Sequence, residues 1–446
     1  MMKLLLSLPL FVLLAASLAS YGQDSYRYSE IKPKSIRDFD LGYREYCNLD
    51  LTANFELNAV QCSFYGDYQN ALDQATERET VAHSLGENIV YDHGGKAQLI
   101  EQLKTALQDS TVDKNQKVVL QKLLDEAAAP PVEEVFAQAK PLSAVGFIVD
   151  NAKNYHFTLI NEAHYNSQNR AFTQTLLRPL WDVGYRYLAL EVLGYEDTNL
   201  HERGYPTTAT GYYIRDSNFG NLVREALALG YQMVTYETQN SHDGTLRDQD
   251  QANNIYEQTW KKDRRGKVLI HAGYSHIYES GSANYEPMGY QLKNLTKQDI
   301  LTIDQEEMIG FTDSVKQHPY YQAAFKQFGL AEPTVFLDEH NEVIVNPIQS
   351  LGIDIQVYHP KTRFEHGRPT WMKRKDIRQV PLPAKLLKYE GNLIQAVVKG
   401  EDTEAIPADQ FVISEEKTFL LKSGSYDLRI INCEGTLVGI LALEVD

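Results

Sequence analysis

The 446-residue chain carries 43 Lys+Arg against 60 Asp+Glu, a formal net charge of -17. A surface this acidic excludes nucleic acid and anionic lipid as natural partners, because both require clustered Lys and Arg that displace counterions. With 43% hydrophobic and 23% charged residues, the composition is that of a soluble globular protein long enough for two or three domains.

Residues 1–22 read as a secretory signal peptide. Lys3 supplies the positive start, residues 4–16 an apolar stretch too short to span a bilayer, and Ser17-Leu18-Ala19 or Ser20-Tyr21-Gly22 the small residues of a cleavage site. An exported protein is expected, periplasmic or secreted, with no transmembrane segment once the signal is removed. The cysteines, Cys47, Cys62 and Cys433, show no metal-type spacing. An oxidising compartment would allow a Cys47–Cys62 disulfide and leave Cys433 free, with three buried thiols as the alternative.

Three zones follow. Residues 24–141 read as a helical region, with apolar positions at helical spacing over 54–75, 97–107 and 117–128 until Pro130-Pro131 breaks the pattern. The run Tyr65-Gly66-Asp67-Tyr68 looks like part of a tetratricopeptide repeat, but one copy makes a helical pair and not a solenoid. This zone suits a lid, a cap or a partner surface.

Residues 142–330 alternate strand and helix. Apolar runs at 156–160, 186–191, 231–237, 267–272 and 300–304 are separated by helical patterns at 168–182, 218–229, 247–262 and 288–295. The alternation predicts an α/β fold, a three-layer α/β/α arrangement around a mainly parallel sheet. Residues 332–446 are β-rich, with strands expected at 334–337, 343–345, 393–398, 418–422, 426–432 and 436–444, as in a small sandwich. The basic run Lys373-Arg374-Lys375 reads as a solvated turn.

The chemistry gathers where the apolar runs stop. Asn161-Glu162-Ala163-His164 ends the first, Glu191 the second, Glu237 the third, and Gly273-Tyr274-Ser275-His276 the fourth. Ligands of open parallel sheets sit outside the carboxyl ends of the strands, so these side chains form one candidate site. Glu162 and His164 are two apart and leave an extended segment on the same face, where a carboxylate can orient an imidazole or share a metal with it. Arg247, opening a helix, suits an anion-holding role or an ion pair with a neighbouring acid. His271, inside its strand, reads as a buried imidazole bonded to backbone. The loop 194–216 is rich in Tyr, and Tyr195, Tyr205, Tyr212 and Tyr213 are candidates to line a pocket. No G-x-S-x-G elbow, H-E-x-x-H helix, Walker loop or G-x-G-x-x-G is present.

Taken in order, Glu162-Ala163-His164, Glu191, Glu237, Arg247-Asp248 with Ala252 and Ile255, and Gly273-Tyr274-Ser275-His276 resemble the superfamily of erythromycin-esterase-like proteins, ChaN-like haem-binding lipoproteins and Tiki metalloproteases. The resemblance covers roughly residues 155–304. Asn161 stands where that family usually has glycine, and the Glu-x-His spacing is nearer the ChaN-like form. It implies a polar cleft at the carboxyl edge of the sheet, used for hydrolysis with or without a metal, or for haem. The expectation is an exported hydrolase of an ester- or amide-type bond, with Glu162, His164, Glu191, Glu237, Arg247 and His276 catalytic. A divalent metal, Zn or Mn, would sit on His164, His276 and Glu162. The alternatives are a haem- or metal-binding envelope protein, and an idle α/β core that displays its flanking zones to envelope partners.

Overall fold

The computed structural model describes residues 26–86, 96–108, 117, 120–121, 124, 132–281, 285–311, 317–346, 352–415 and 417–446. The signal-peptide reading and most of the helix expected over 117–128 lie outside them. Among the described residues, no helix is long and apolar enough to cross a membrane.

The chain opens with two short strands, β1 (Tyr26–Tyr28) and β2 (Lys32–Ile36). Both pair antiparallel with the last strand of the chain, so the N-terminal zone is not helical throughout. Sequence β2, Lys-Pro-Lys-Ser-Ile, lies exposed at a sheet edge, the position where proline and lysines are tolerated because no further ladder bond is needed. Helices α1 (Leu41–Tyr46), α2 (Phe55–Phe64), α3 (Tyr68–Gly86), α4 (Lys96–Gln108) and α5 (Val132–Phe136) follow. The α2–α3 pair packs Ala59, Val60, Phe64 and Ala75 into one apolar cluster with Ala163 and Tyr165 and with Leu393 and Ile431. It thereby bridges the α/β part and the C-terminal sheet.

Strand β3 (Lys140–Ser143) and helix α6 (Ala144–Ala152) lead into a parallel sheet. Its strands are β4 (Phe157–Glu162), β5 (Tyr185–Leu190), β6 (Gln232–Thr235), β7 (Lys267–Gly273), β8 (Ile300–Asp304) and, after β9 (Thr334–Leu337), β10 (Ile355–Gln356). The spatial order is β10-β8-β4-β7-β5-β6, with every neighbouring pair parallel. Helices α7 (Ser167–Asp182) and α8 (Ser217–Leu229) connect the strands that step toward β6, and α9 (Gly244–Gln258) and α10 (Met288–Thr296) connect those that return. Right-handed crossovers in opposite directions put helices on opposite faces. Accordingly Ile160, Leu188, Leu190 and Leu269 pack under α6, α7 and α8, while Phe157, Leu159, Ala189 and Ile270 pack under α9 and α10. Burial on both faces explains why the strands are apolar throughout instead of alternating.

The β-rich zone starts later than residue 332. β9 pairs with β3, β10 extends the parallel sheet, and the strand expected over 343–345 is only an isolated bridge from Val343 to Leu337. Helix α11 (Pro319–Phe328) precedes them. Beyond a small hairpin, β11 (Phe364–Glu365) with β12 (Arg368–Pro369), come β13 (Arg378–Pro381), β14 (Leu393–Val398), β15 (Asp409–Val412), β16 (Thr418–Leu421), β17 (Gly424–Ile431) and β18 (Leu437–Val445). The antiparallel sheet runs β1-β18-β17-β14-β15, with β2 also on β18, and the β13–β16 pair closes over its core through Val380, Phe419 and Leu421. β15, whose polar Asp409-Gln410 start hides it in the sequence, is paired to β14.

The disulfide also differs from the expected one. Cys47, at the end of α1, bonds to Cys433 in the β17–β18 turn with Cα atoms 5.7 Å apart, and Cys62 is a free buried thiol. The helix carrying Cys62 buries it. Burial pushes the Cys62 thiol up to about 12, so it is a poor nucleophile. When the unreduced protein is denatured and alkylated, only the peptide bearing Cys62 should be labelled; a labelled Cys433 would overturn the pairing. Replacing both Cys47 and Cys433 with Ala should lower stability by about 2–5 kcal/mol, read as a fall in melting temperature.

Candidate active site

The strand order decides which ends meet. Register places Glu162 beside Gly273 and Leu190 beside His271, so the ends of β4, β7 and β5 are consecutive, with the Glu237 segment following β6 next to them. Residues up to 114 positions apart in the chain, Glu162 and His276 among them, thus share one edge.

Glu162 is buried at the end of β4. Its Oε2 accepts from Arg170 Nε at 2.8 Å, and its Oε1 accepts from Arg170 Nη2 at 2.9 Å. Burial alone would raise its carboxyl, but the Arg170 guanidinium and the hydrogen bond from His164 outweigh burial and hold it well below the usual carboxylate range. An ionised carboxylate only accepts, so His164 Nδ1, 2.9 Å from Oε1, is the protonated ring nitrogen. The His164 ring stacks on Tyr213 at 4.2 Å and meets Tyr274 edge-on at 5.1 Å. Its Nε2 side faces Gly273, where a Cβ would come within 2.6 Å of Nε2 and 3.3 Å of Glu191 Oε2. Glycine is therefore required there by the close approach of His164.

His276 has its own acid. Its Nδ1 lies 2.8 Å from Asp248 Oδ1, and Asp248 also accepts from Tyr285 OH at 2.6 Å and Met288 N at 2.9 Å. Burial would lower the imidazole, but the Asp248 hydrogen bond and the charges of Glu191 and Asp248 prevail and raise it above its ordinary value. Glu191 stands between the two imidazoles. It accepts from Gly273 N at 2.6 Å and from Arg247 Nη2 at 2.6 Å, with His276 Nε2 at 3.8 Å. Burial opposes its charge, yet His276, His164, Arg247 and the Gly273 amide together keep it below the carboxylate range.

Arg247 is ion-paired with neighbouring acids, one of the two roles expected for it. It forks onto Glu237, with Nε 3.0 Å from Oε1, reaches Glu191, and sets Nη1 3.1 Å from His276 Nε2. All six residues expected from the sequence thus meet at one edge. His271 is buried one layer below, 3.6 Å from Glu162 Oε2, and desolvation lowers it to about 4, so it stays neutral. Of the loop tyrosines, Tyr213 joins the site and Tyr195 donates to the Glu237 carbonyl at 2.8 Å. Tyr212 reaches the helical pair through Gln61 at 2.9 Å, and Tyr205 faces Asp402 in the C-terminal part.

Sequence reasoning missed Arg170, Asp216, Asp248 as the acid behind His276, and Tyr213 as the ring under His164. Arg170 is fully buried and spans Glu162 and, at 2.9 Å, Asp216, which caps α8 by accepting from Asn218 N at 2.7 Å. An arginine in the first turn of a helix that begins three residues after the Glu-x-His motif was the available signal. Asn161 is structural: its Oδ1 accepts from Gln305 N at 2.8 Å and its Nδ2 donates to the Tyr274 carbonyl at 3.3 Å. Tyr274 itself takes a left-handed φ of 48°, which costs on the order of 1–3 kcal/mol, and its hydroxyl is held by Glu56 of α2 at 2.8 Å.

The metal set expected on His164, His276 and Glu162 does not fit. Both Glu162 oxygens are engaged by Arg170, and a guanidinium, itself a cation, lies against His276 Nε2. Among the described residues, no group of three or more His, Cys, Asp or Glu side chains is arranged to hold a metal ion. Haem fits no better, since Arg247 lies against His276 Nε2 while Tyr213 stacks on the His164 ring and Tyr274 meets it edge-on.

No family model and no curated protein matches the chain. Among solved structures, the type III effector HopBA1 aligns with a TM-score of 0.30 and 13% identity over 48% of this chain and 97% of its own. RRSP, a MARTX toxin effector domain from Vibrio vulnificus CMCP6, aligns with a TM-score of 0.27 and 15% identity over 61% of this chain and 64% of its own. A structure described as bacterial protein toxins aligns with a TM-score of 0.30 and 12% identity, covering 61% of this chain and 66% of its own. Likeness this slight transfers neither fold nor activity.

Proposed function

We propose that this chain is an exported hydrolase of ester- or amide-type bonds, built on a three-layer α/β/α core and working without a resident metal. One observation carries the reading: two imidazoles, each backed by its own carboxylate, flank the ionised Glu191 at adjacent strand ends. His164 is the base. Glu162 fixes its proton on Nδ1, which leaves Nε2 to take a proton from water as that water attacks the carbonyl carbon. His276 is the acid: its raised pKa favours the protonated ring, and Nε2 carries the proton for the leaving group once Arg247 Nη1, a donor 3.1 Å away, turns from it to the substrate oxyanion. Arg247 holds Glu191 and Glu237 in place and presents Nη1 beside His276, where an oxyanion developing on the substrate gains stabilisation. Tyr213 and Tyr274 shield the His164 ring from bulk water.

The test is turnover of a panel of chromogenic esters and fluorogenic amides by the purified protein. His164→Ala and His276→Ala should each lower kcat/KM by about 10²–10⁴-fold on any substrate that is turned over, with an unchanged melting temperature. Undiminished hydrolysis by His164→Ala would sink the mechanism.

The pH profile tests the acid separately. His276 is raised by Asp248, so the proton it donates is lost only as pH rises through that elevated value. Asp248→Asn removes the largest raising influence, and the alkaline limb of kcat should move to lower pH. An alkaline limb that stays in place would remove His276 from the acid role.

A further inference from the structure

A cavity lies away from the two imidazoles. It has a volume of about 670 Å³, within the range of small-molecule sites. One wall is a face of α7, where Gln168, Ala171, Phe172 and Thr175 recur at helical spacing; the other is the chain that leaves β10, from His359 to Arg374. Arg170, on the other side of the same helix, holds the candidate active site.

Two features of this cavity point to one kind of occupant. Its body is apolar and aromatic, with Val145, Phe172, Pro333 and Trp371 in the lining. Its mouth is basic in a chain of net charge -17: Lys361, Arg363, Lys373 and Arg374 line it against only Glu332 and Glu365. Lys373 is paired with Glu365, and Arg374 with Glu225 at 2.9 Å and Asp376 at 3.0 Å. Lys361 and Arg363 have no carboxylate partner among the described residues. Behind this lining His359 is fully buried, edge-on to Phe172 at 5.2 Å, with neither ring nitrogen hydrogen-bonded. A buried polar group left unsatisfied costs about 1–3 kcal/mol. Desolvation lowers His359 to about 3, so the ring is neutral and offers one donor and one acceptor.

We infer that this cavity binds an amphipathic organic anion, an apolar body carrying one carboxylate-type group. The apolar body lies on Phe172 and Trp371, and the anion meets Lys361 and Arg363 at the mouth. The basic run that the sequence presents as a solvated turn contributes Lys373 and Arg374 to the rim.

Anilinonaphthalene sulfonate, a fluorescent aromatic anion, is the probe, with dodecanoate, dodecanol and inorganic phosphate as competitors. Dodecanoate should displace the probe, and dodecanol and phosphate should be far weaker. The charge reversal K361E/R363E should weaken dodecanoate by about tenfold or more, and Thr175→Trp, at an exposed position on the wall, should block the probe without touching a charge. His164→Ala should bind both as the parent does, which separates this cavity from the hydrolytic site. Equal affinity in the parent and in K361E/R363E overturns the inference. Displacement by phosphate as effective as by dodecanoate reduces the site to a simple anion contact and overturns it too, as does loss of binding in His164→Ala.

Discussion

The site rests on one buried cation. Arg170 has no solvent exposure and is held by Glu162, by Asp216 and, at 2.6 Å, by the His164 carbonyl. A guanidinium in that position is tolerable only while every contact is kept, and breaking such a pair typically costs about 3–5 kcal/mol. Its three partners come from the end of β4, the loop behind it and the cap of α8. The same charge that holds these elements together keeps Glu162 ionised, and ionised Glu162 sets the proton on His164. Fold and chemistry therefore share a single electrostatic anchor.

Neighbouring histidines show how finely that anchor discriminates. His271 and His276 are five residues apart at the end of one strand, and both are largely withdrawn from water. His271 faces Glu162, whose charge Arg170 already balances, so desolvation prevails and the ring stays neutral. His276 faces Asp248 and Glu191, and their combined pull exceeds the same penalty. Burial does not decide protonation here; the unbalanced anion does.

Helix α2 and the C-terminal sheet pack against this edge. Helix α2 supplies Glu56 to Tyr274 and Gln61 to Tyr212, while the Cys47–Cys433 bond and the β1–β18 pairing tie the first strands to the last. The strained Tyr274 beside His164 is thus held in place by a segment more than two hundred residues earlier. That arrangement packs the N-terminal helical pair against the site's aromatic rim.

Much of this was legible in the residues alone. Apolar runs ending in Glu or His marked β4, β5, β6 and β7, because strands buried on both faces leave only their ends for ionisable groups. Five of the six candidate residues were named by that rule, and Arg247 by its place at the opening of a helix. The order β4-β7-β5-β6 was not legible, and neither was Asp248 behind His276, Arg170 behind Glu162, the Cys47 partner, nor the strands at 26–36 that complete the C-terminal sheet. Periodicity is a local property, and it determined where the elements lie and which ends carry chemistry. Which ends become neighbours, which charges balance and which thiols meet depend on contacts across hundreds of residues, and only the packed structure decided them.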